Sequence, residues 1–346
     1  MLPADTVFLR RCFDLARLGA GHVSPNPLVG AVLMHEGRII GEGWHQRYGE
    51  AHAEVQAIGS VAAADRHLLP ESTLYCSLEP CFHYGKTPPC VDLVLAKRIR
   101  RVVFSNVDPN PLVAGQSLQK LRAAGVEVQE NVLADEGAWL NRYFFHWIQQ
   151  QRPYVVLKWA QSADGLLGRP NARTAISGPL AQRLVHRWRS EVDAILVGAA
   201  TARVDDPRLD NRLFWGPSPL RVALDWSGKI PADAHLLDDS QPTWLLGPAH
   251  AGVFRQTEFP DIRPANWIPE LLSSLRAAKR AVLLVEGGAA TLRQFLEQGY
   301  WDEIRLLEAP LRLGEGIAAP FVPAGARLRD AFPLGPDRVQ IFTRMV

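Results

Sequence analysis

The sequence predicts an α/β protein of two domains, and three observations carry that prediction. The chain has 346 residues, which is long for one domain. Short apolar runs of strand type alternate along it with amphipathic helical stretches, the pattern of a helix-flanked sheet. A polar stretch ending in proline, Gln149-Gln150-Gln151-Arg152-Pro153, interrupts the alternation and marks a boundary between residues 1–150 and 151–346.

In the first half, apolar residues recur at helical spacing from Thr6 to Leu18, with Asp5 as the expected N-cap. Ser24-Pro25-Asn26-Pro27 ends that helix. Residues 28–34 read as a buried strand, Glu36-Gly37 as a turn, and residues 38–44 as a returning strand. An amphipathic helix follows from His52 to Ile58. A strand is expected over 72–78, a helix opening at Pro88-Pro89-Cys90, a strand over 101–106, a helix over 118–124 and a short strand over 126–129. Residues 134–150 read as one long aromatic-rich helix.

In the second half, strands are expected over 154–160, 192–197, 219–225, 243–246, 281–285, 301–308 and 339–343. Asp164-Gly165 is a turn. Helices are expected from Gly178-Pro179 to about Ser190, over 268–277, and after Glu286-Gly287-Gly288.

Composition narrows the function. Apolar residues make up 47% and charged residues 21%, an ordinary globular balance. A net charge of +2 gives no concentrated basic surface, so neither a nucleic acid nor a membrane is expected as partner. There is no apolar run of about 18 residues, and Met1 to Asp5 carry no secretory pattern, so a cytoplasmic protein is expected. Four cysteines in this length point to a reducing compartment, with Cys12 and Cys76 as small buried hydrophobes.

The remaining two cysteines carry chemistry. His52, Cys81 and Cys90 supply one imidazole and two thiolates, enough to hold a zinc ion with its fourth position open. Glu54, two residues past the histidine, is expected beside that position as the general acid and base. This is the pattern of zinc deaminases acting on amino-substituted heterocycles. A closed structural zinc would need a fourth ligand, and His83 is the nearby candidate. Eight residues separate the cysteines, against two in the usual form. The added loop contains His83, Lys86 and Thr87, which suit an anionic group such as a phosphate; a solvated loop is the alternative.

The second half is less explicit. Glu286-Gly287-Gly288 joins a buried strand to a helix and reads as an anion site or as a tight structural turn. It is not the dinucleotide fingerprint. Asp205-Asp206-Pro207 is a loop pair that is solvated, capping or functional. Lys158 lies within an apolar strand, where either an anionic ligand or a snorkelling head would account for it.

Across both halves the chain resembles the bifunctional deaminase–reductases of riboflavin biosynthesis, the RibD family. The resemblance rests on Pro25-Asn26-Pro27, Gly41-Glu42-Gly43-Trp44-His45, His52-Ala53-Glu54, Leu78-Glu79-Pro80-Cys81 through Pro88-Pro89-Cys90, and Asp108-Pro109-Asn110-Pro111. Further on it rests on Ser162-x-Asp164-Gly165, Ile195-Leu196-Val197-Gly198, Asp205-Asp206-Pro207 and Glu286-Gly287-Gly288. It implies a cytidine-deaminase-like α/β/α first domain and a dihydrofolate-reductase-like second domain. It also implies zinc and NADPH as cofactors, small-molecule substrates and a homo-oligomer, dimer or tetramer. The first implied reaction is deamination of 2,5-diamino-6-ribosylamino-4(3H)-pyrimidinone 5′-phosphate. The second is reduction of the ribosyl group to ribityl.

By the same resemblance, Asn26, His45, His83, Lys86, Asp108 and Asn110 fall on the deaminase substrate pocket. Lys158, Arg173, Arg189, Leu209, Arg212 and Glu286 fall on the reductase substrate. Ala160, Thr201, Asp205, Gly288, Ala289, Ala290 and Thr291 fall on the NADPH site. Two positions depart from the family. Ala175 stands where many members have a tryptophan, and Ser117 where they have a glycine. The competing expectations are a nucleic-acid deaminase, which the charge and the Cys81–Cys90 spacing disfavour, and a zinc-dependent binding module with a scaffold second domain.

Overall fold

The computed structural model describes residues 3–82, 88–110, 114–248 and 255–344. The chain divides into two compact units, residues 1–151 and 152–346.

The first unit runs α1 (Pro3–Arg17), β1 (Gly30–His35), β2 (Arg38–Trp44), α2 (Ala53–Gly59), β3 (Thr73–Cys76), α3 (Cys90–Ala96), β4 (Arg101–Phe104), α4 (Gln116–Ala123), β5 (Glu127–Gln129), α5 (Ala134–Leu140) and α6 (Arg142–Gln149). Among the described residues its strands form one sheet in the order β2-β1-β3-β4-β5. β1 is antiparallel to both neighbours, whereas β3, β4 and β5 run parallel. Alternate strand residues face opposite layers. Leu33, Leu74 and Phe104 pack with Ala57 and Ile58 of α2 and Val91 and Val94 of α3. Val32, Tyr75 and Val103 pack with Leu9, Cys12 and Leu15 of α1. Cys12 and Cys76 are fully buried and unbonded to each other, as expected of small hydrophobes.

Gly41 and Gly43 fix the approach of α2 to β2. A Cβ at Gly41 would meet the Ala57 carbonyl oxygen at 2.5 Å, and one at Gly43 would meet the Ala57 nitrogen at 2.4 Å. Only glycine leaves room for the helix whose first turn carries Glu54.

Two local expectations fail here. Asp5 lies inside α1, past its first residue: its buried carboxylate accepts from Tyr75 Oη at 3.0 Å and Arg101 Nη1 at 2.9 Å. The long helix is two helices. Asn141 leaves helical geometry (φ −100°, ψ 17°), and its side-chain amide accepts from Leu28 N at 2.8 Å and donates to Leu28 O at 3.0 Å. Those bonds tie the break to the loop bearing Asn26.

The second unit runs β6 (Tyr154–Ser162), β7 (Leu166–Gly168), α7 (Pro179–Ser190), β8 (Ala194–Gly198), α8 (Ala199–Asp205), β9 (Leu220–Leu224), β10 (Thr243–Leu246), β11 (Thr257–Glu258), α9 (Trp267–Ala277), β12 (Val282–Val285), α10 (Ala289–Glu297), β13 (Glu303–Ala309), β14 (Ile317–Ala318), β15 (Ala326–Leu334) and β16 (Asp337–Arg344). Its main sheet has the order β11-β10-β9-β8-β12-β6-β13-β16-β15, with β7 and β14 forming a separate pair. The strands from β11 to β13 are parallel; β16 adds antiparallel to β13, and β15 antiparallel to β16. Leu157, Leu196, Val222 and Leu283 pack against Leu271 of α9 and Phe295 of α10. Ala181, Val185 and Trp188 of α7 pack with Leu307 and Val339. No helix among the described residues is long and apolar enough to cross a membrane.

Candidate active sites

Each unit has its own cleft. In the first, His52 is the residue immediately before α2 and Cys90 opens α3, so two helix starts converge. His52 Nδ1 lies 3.4 Å from both Cys81 Sγ and Cys90 Sγ, and the Cys90 amide donates to Cys81 Sγ at 3.2 Å. The three ligating atoms lie within 4.8 Å of one another, and no fourth His, Cys, Asp or Glu joins them among the described residues. A hydrogen bond from Cys90 and the contact with His52 draw the Cys81 thiol down to about 4, and Cys81 in turn pushes Cys90 up. His52 is raised to about 9, chiefly by Cys81. Two sulfurs, one of them poised to ionise at the expense of the other, with an imidazole close to both, are a donor set that a dication satisfies. One nitrogen and two sulfurs fit zinc.

Glu54 is buried, and its carboxyl is pushed up to about 7 by that burial and by the charge on Cys81. Asn26, His45, Glu79, Asp108 and Asn110 line the same cleft, which has a volume of about 230 Å³. His45 Nδ1 lies 3.2 Å from the Ala51 carbonyl oxygen, and its Nε2 lies 3.2 Å from Asn26 Nδ2. A carbonyl accepts only, so Nδ1 carries the proton and Nε2 accepts from Asn26. Burial lowers the His45 pKa, which agrees with a neutral ring. Burial also raises Asp108 to about 6. His83 and Lys86 lie outside the described residues. Phe144, Trp147 and Ile148 of α6 form an apolar wall that the sequence reading did not single out.

The second cleft, about 1090 Å³, opens at the carboxyl ends of β6, β8, β9 and β12, where ligands of open α/β sheets bind. Glu286 lies at its floor. Arg189 Nε donates to Glu286 Oε1 at 2.9 Å, Arg189 Nη2 to Oε2 at 3.0 Å, and Lys158 Nζ to Oε2 at 3.4 Å. Burial opposes ionisation of Glu286, but the two cations more than offset it and hold the carboxyl at about 2. Arg212 pairs with Asp210, whose carbonyl accepts from Arg189 Nη1 at 3.2 Å. Arg173 and Leu209 line the same wall, and burial raises the Asp205 carboxyl. Ala160, Thr201, Asp205 and residues 288–291 line the cleft as well, so every residue expected for the second site reaches it. Gly288 precedes α10 with extended geometry (φ −65°, ψ 174°), leaving that helix's first amides facing the cleft. Ala175 also lines it.

Known proteins match both units. A family model described as the cytidine and deoxycytidylate deaminase zinc-binding region matches residues 3–106, and one described as the RibD C-terminal domain matches residues 153–332. The riboflavin biosynthesis protein RibD of Aquifex aeolicus is 36% identical over 91% of this chain and 89% of its own length. The chain belongs to the RibD family. RibD of Bacillus amyloliquefaciens is 37% identical over 93% of this chain and 88% of its own. A crystal structure of a diaminohydroxyphosphoribosylaminopyrimidine deaminase/5-amino-6-(5-phosphoribosylamino)uracil reductase from Thermotoga maritima superposes with a TM-score of 0.89 at 31% identity. It covers 99% of both chains.

As a member of the RibD family, the chain is a bifunctional enzyme of riboflavin biosynthesis, with a cytidine-deaminase-like hydrolase unit of a zinc-binding family followed by a pyrimidine reductase unit. The family-level expectations of fold and activity therefore hold. Sequence reasoning missed two features of these clefts besides the α6 wall. Glu79 was quoted only as part of a motif. His186 lines the second cleft one turn before Arg189 on α7, and burial together with Arg189 lowers it to about 4. The three-residue spacing of His186 and Arg189 was the available signal.

Proposed function

We propose that residues 1–150 deaminate 2,5-diamino-6-ribosylamino-4(3H)-pyrimidinone 5′-phosphate. We propose further that residues 151–346 reduce the product, 5-amino-6-(5-phosphoribosylamino)uracil, to its ribitylamino form with NADPH. The observation that carries this reading is the gathering of His52, Cys81 and Cys90 around one point with buried Glu54 in the same cleft. The activity for which the Thermotoga maritima relative is named supports the substrate assignment.

In the first cleft His52, Cys81 and Cys90 would hold zinc, whose Lewis acidity makes a water nucleophilic near neutral pH. Glu54 takes one proton from that water and delivers it to the ring nitrogen, then carries the second, from the new ring hydroxyl, to the departing amino group. The water oxygen bonds to the ring carbon, the carbon–nitrogen bond breaks, and ammonia leaves. Neutral His45 and Asn26 orient the ring. Asp108 and Asn110 bind the substrate from the opposite segment, and His83 and Lys86 take the phosphate.

In the second cleft bound NADPH would supply a hydride to the ribosyl anomeric carbon, whose bond to the ring oxygen breaks as that oxygen takes a proton from water. Thr201, Asp205, Ala160 and residues 288–291 would hold the cofactor, and the free amides at a helix start suit its phosphates. Lys158, Arg173, Arg189, Leu209, Arg212 and Glu286 hold the phosphorylated substrate. The Glu286 carboxylate keeps Arg189 and Lys158 in place, so that their remaining donors face the ligand.

A coupled assay tests both halves. The diaminopyrimidine phosphate alone is expected to release ammonia and yield the aminouracil by mass. With NADPH it is expected to yield the ribityl compound. Zinc-loaded protein that releases no ammonia, or aminouracil that consumes no NADPH, would refute the corresponding half.

A further inference from the structure

Glu79 leaves β3 two residues before Cys81, and its carboxylate is among the most enclosed in the first unit, with 3% of its surface exposed. Its backbone amide donates to Asn106 O at 2.9 Å, extending the β3–β4 pairing past the last strand residue. Its side chain collects four donors from the segment after β4, two of them in the first turn of α4. Oε2 accepts from Asp108 N at 3.2 Å and Gly115 N at 3.0 Å; Oε1 accepts from Ser117 Oγ at 2.5 Å and Leu118 N at 3.3 Å. These donors lie 29 to 39 residues downstream and come from both ends of one segment. At its near end, Asp108 Oδ1 accepts from Asn110 N at 2.8 Å, and Asp108 and Asn110 both line the cleft.

Each oxygen of Glu79 already serves two protein donors, so this carboxylate has little left to offer a ligand. An ionised carboxylate with about four acceptor positions is the one side chain of this size that can satisfy four donors at once. Glutamine would turn an N–H₂ toward two of them.

We propose that Glu79 is a positioning residue for the deaminase, one that sets Asp108 and Asn110 against the substrate while the adjoining Cys81 holds the metal. The chain thereby ties its ligand segment and its substrate segment to a single side chain. This inference rests on the deaminase reading above.

The test uses the whole chain, whose reductase supplies an internal control for folding. Glu79→Gln is expected to lower kcat/KM for ammonia release at least about tenfold, chiefly through KM, because the amide N–H₂ faces buried donors that it cannot satisfy. Zinc per chain and NADPH oxidation with the aminouracil are expected to stay at wild-type levels. Glu79→Asp, which keeps the charge and shortens the reach, is expected to fall between the two.

The decisive readout is coupling with Asp108. Measured as single-turnover ammonia release, Glu79→Gln is expected to cost less than about threefold on an Asp108→Asn background, since residues acting as a unit are not additive. Additive losses, or loss of zinc in both Glu79 variants, would make Glu79 a general or metal-side support and overturn the proposal. So would wild-type kinetics in Glu79→Gln. A wild-type protein that releases no ammonia would instead overturn the reading beneath it.

Discussion

Arg189 forks onto Glu286, Nε to Oε1 at 2.9 Å and Nη2 to Oε2 at 3.0 Å, while Lys158 reaches the same carboxylate from β6. Helix α7, strand β6 and the end of β12 therefore meet at one buried charge. Removing that charge leaves two cations facing each other without compensation, a change that costs about 3–5 kcal/mol when a buried pair is broken. Glu286→Gln is expected to lose most NADPH oxidation and to leave ammonia release intact. Parallel assays of the two reactions on one preparation check it.

The same carboxylate sets a pH dependence. Its folded value of about 2 lies below the ordinary 4.5. The unfolded chain therefore binds more protons in that window, and stability rises with pH. The contribution of Glu286 is complete above about 4.5 and is lost as pH falls towards 2. Urea midpoints for the second unit are expected to drop more steeply between pH 5 and pH 3 in wild type than in Glu286→Gln. Parallel slopes would show that the ion pair does not set this dependence.

Glu54 and the metal ligands separate chemistry from assembly. Glu54→Gln retains volume but cannot carry the proton, and a missing general acid and base costs roughly 10²–10⁴ in rate. Ammonia release is expected to fall by that order with zinc content near one per chain. Cys90→Ser is expected to lose both zinc and ammonia release. In each variant NADPH oxidation should persist, because Lys158, Arg189 and Glu286 belong to the other cleft. Metal analysis and the two assays distinguish the cases.

The residues most legible from sequence are those whose chemistry is local. His52 and Glu54 are two apart, and Cys81 and Cys90 bracket one loop, so spacing alone suggested a shared site. Lys158 and Glu286 are 128 residues apart, and only the parallel pairing of β6 with β12 makes them neighbours. Glu79 is illegible for the same reason: its donors arrive from beyond β4. The break at Asn141 depends on Leu28, 113 residues earlier, so the helical pattern of residues 134–150 gave no warning of it. Strand β15 was missed because it is an edge strand with mostly exposed, charge-rich residues, which leaves no buried face to produce a two-residue period.

Asp5 yields a stability prediction from the position the helix pattern misjudged. Its carboxylate is fully buried and takes Arg101 at 2.9 and 3.1 Å as well as Tyr75 Oη at 3.0 Å. Burial, then the bond to Asp5, pushes the Tyr75 hydroxyl up to about 12, so it remains a donor. Asp5→Ala takes from Arg101 its buried partner and leaves Nε on the exposed Glu127 at 2.9 Å, so it is expected to destabilise the first unit by about 1–3 kcal/mol, the cost of buried donors left unsatisfied. Replacing both partners by apolar residues, Asp5→Leu with Arg101→Met, removes those unsatisfied donors and should recover part of that loss. Urea unfolding followed by zinc release to a coloured chelator reports on this unit alone. A double variant no more stable than Asp5→Ala would mean that packing of the side chains, and not the compensated charge, holds α1 to the sheet.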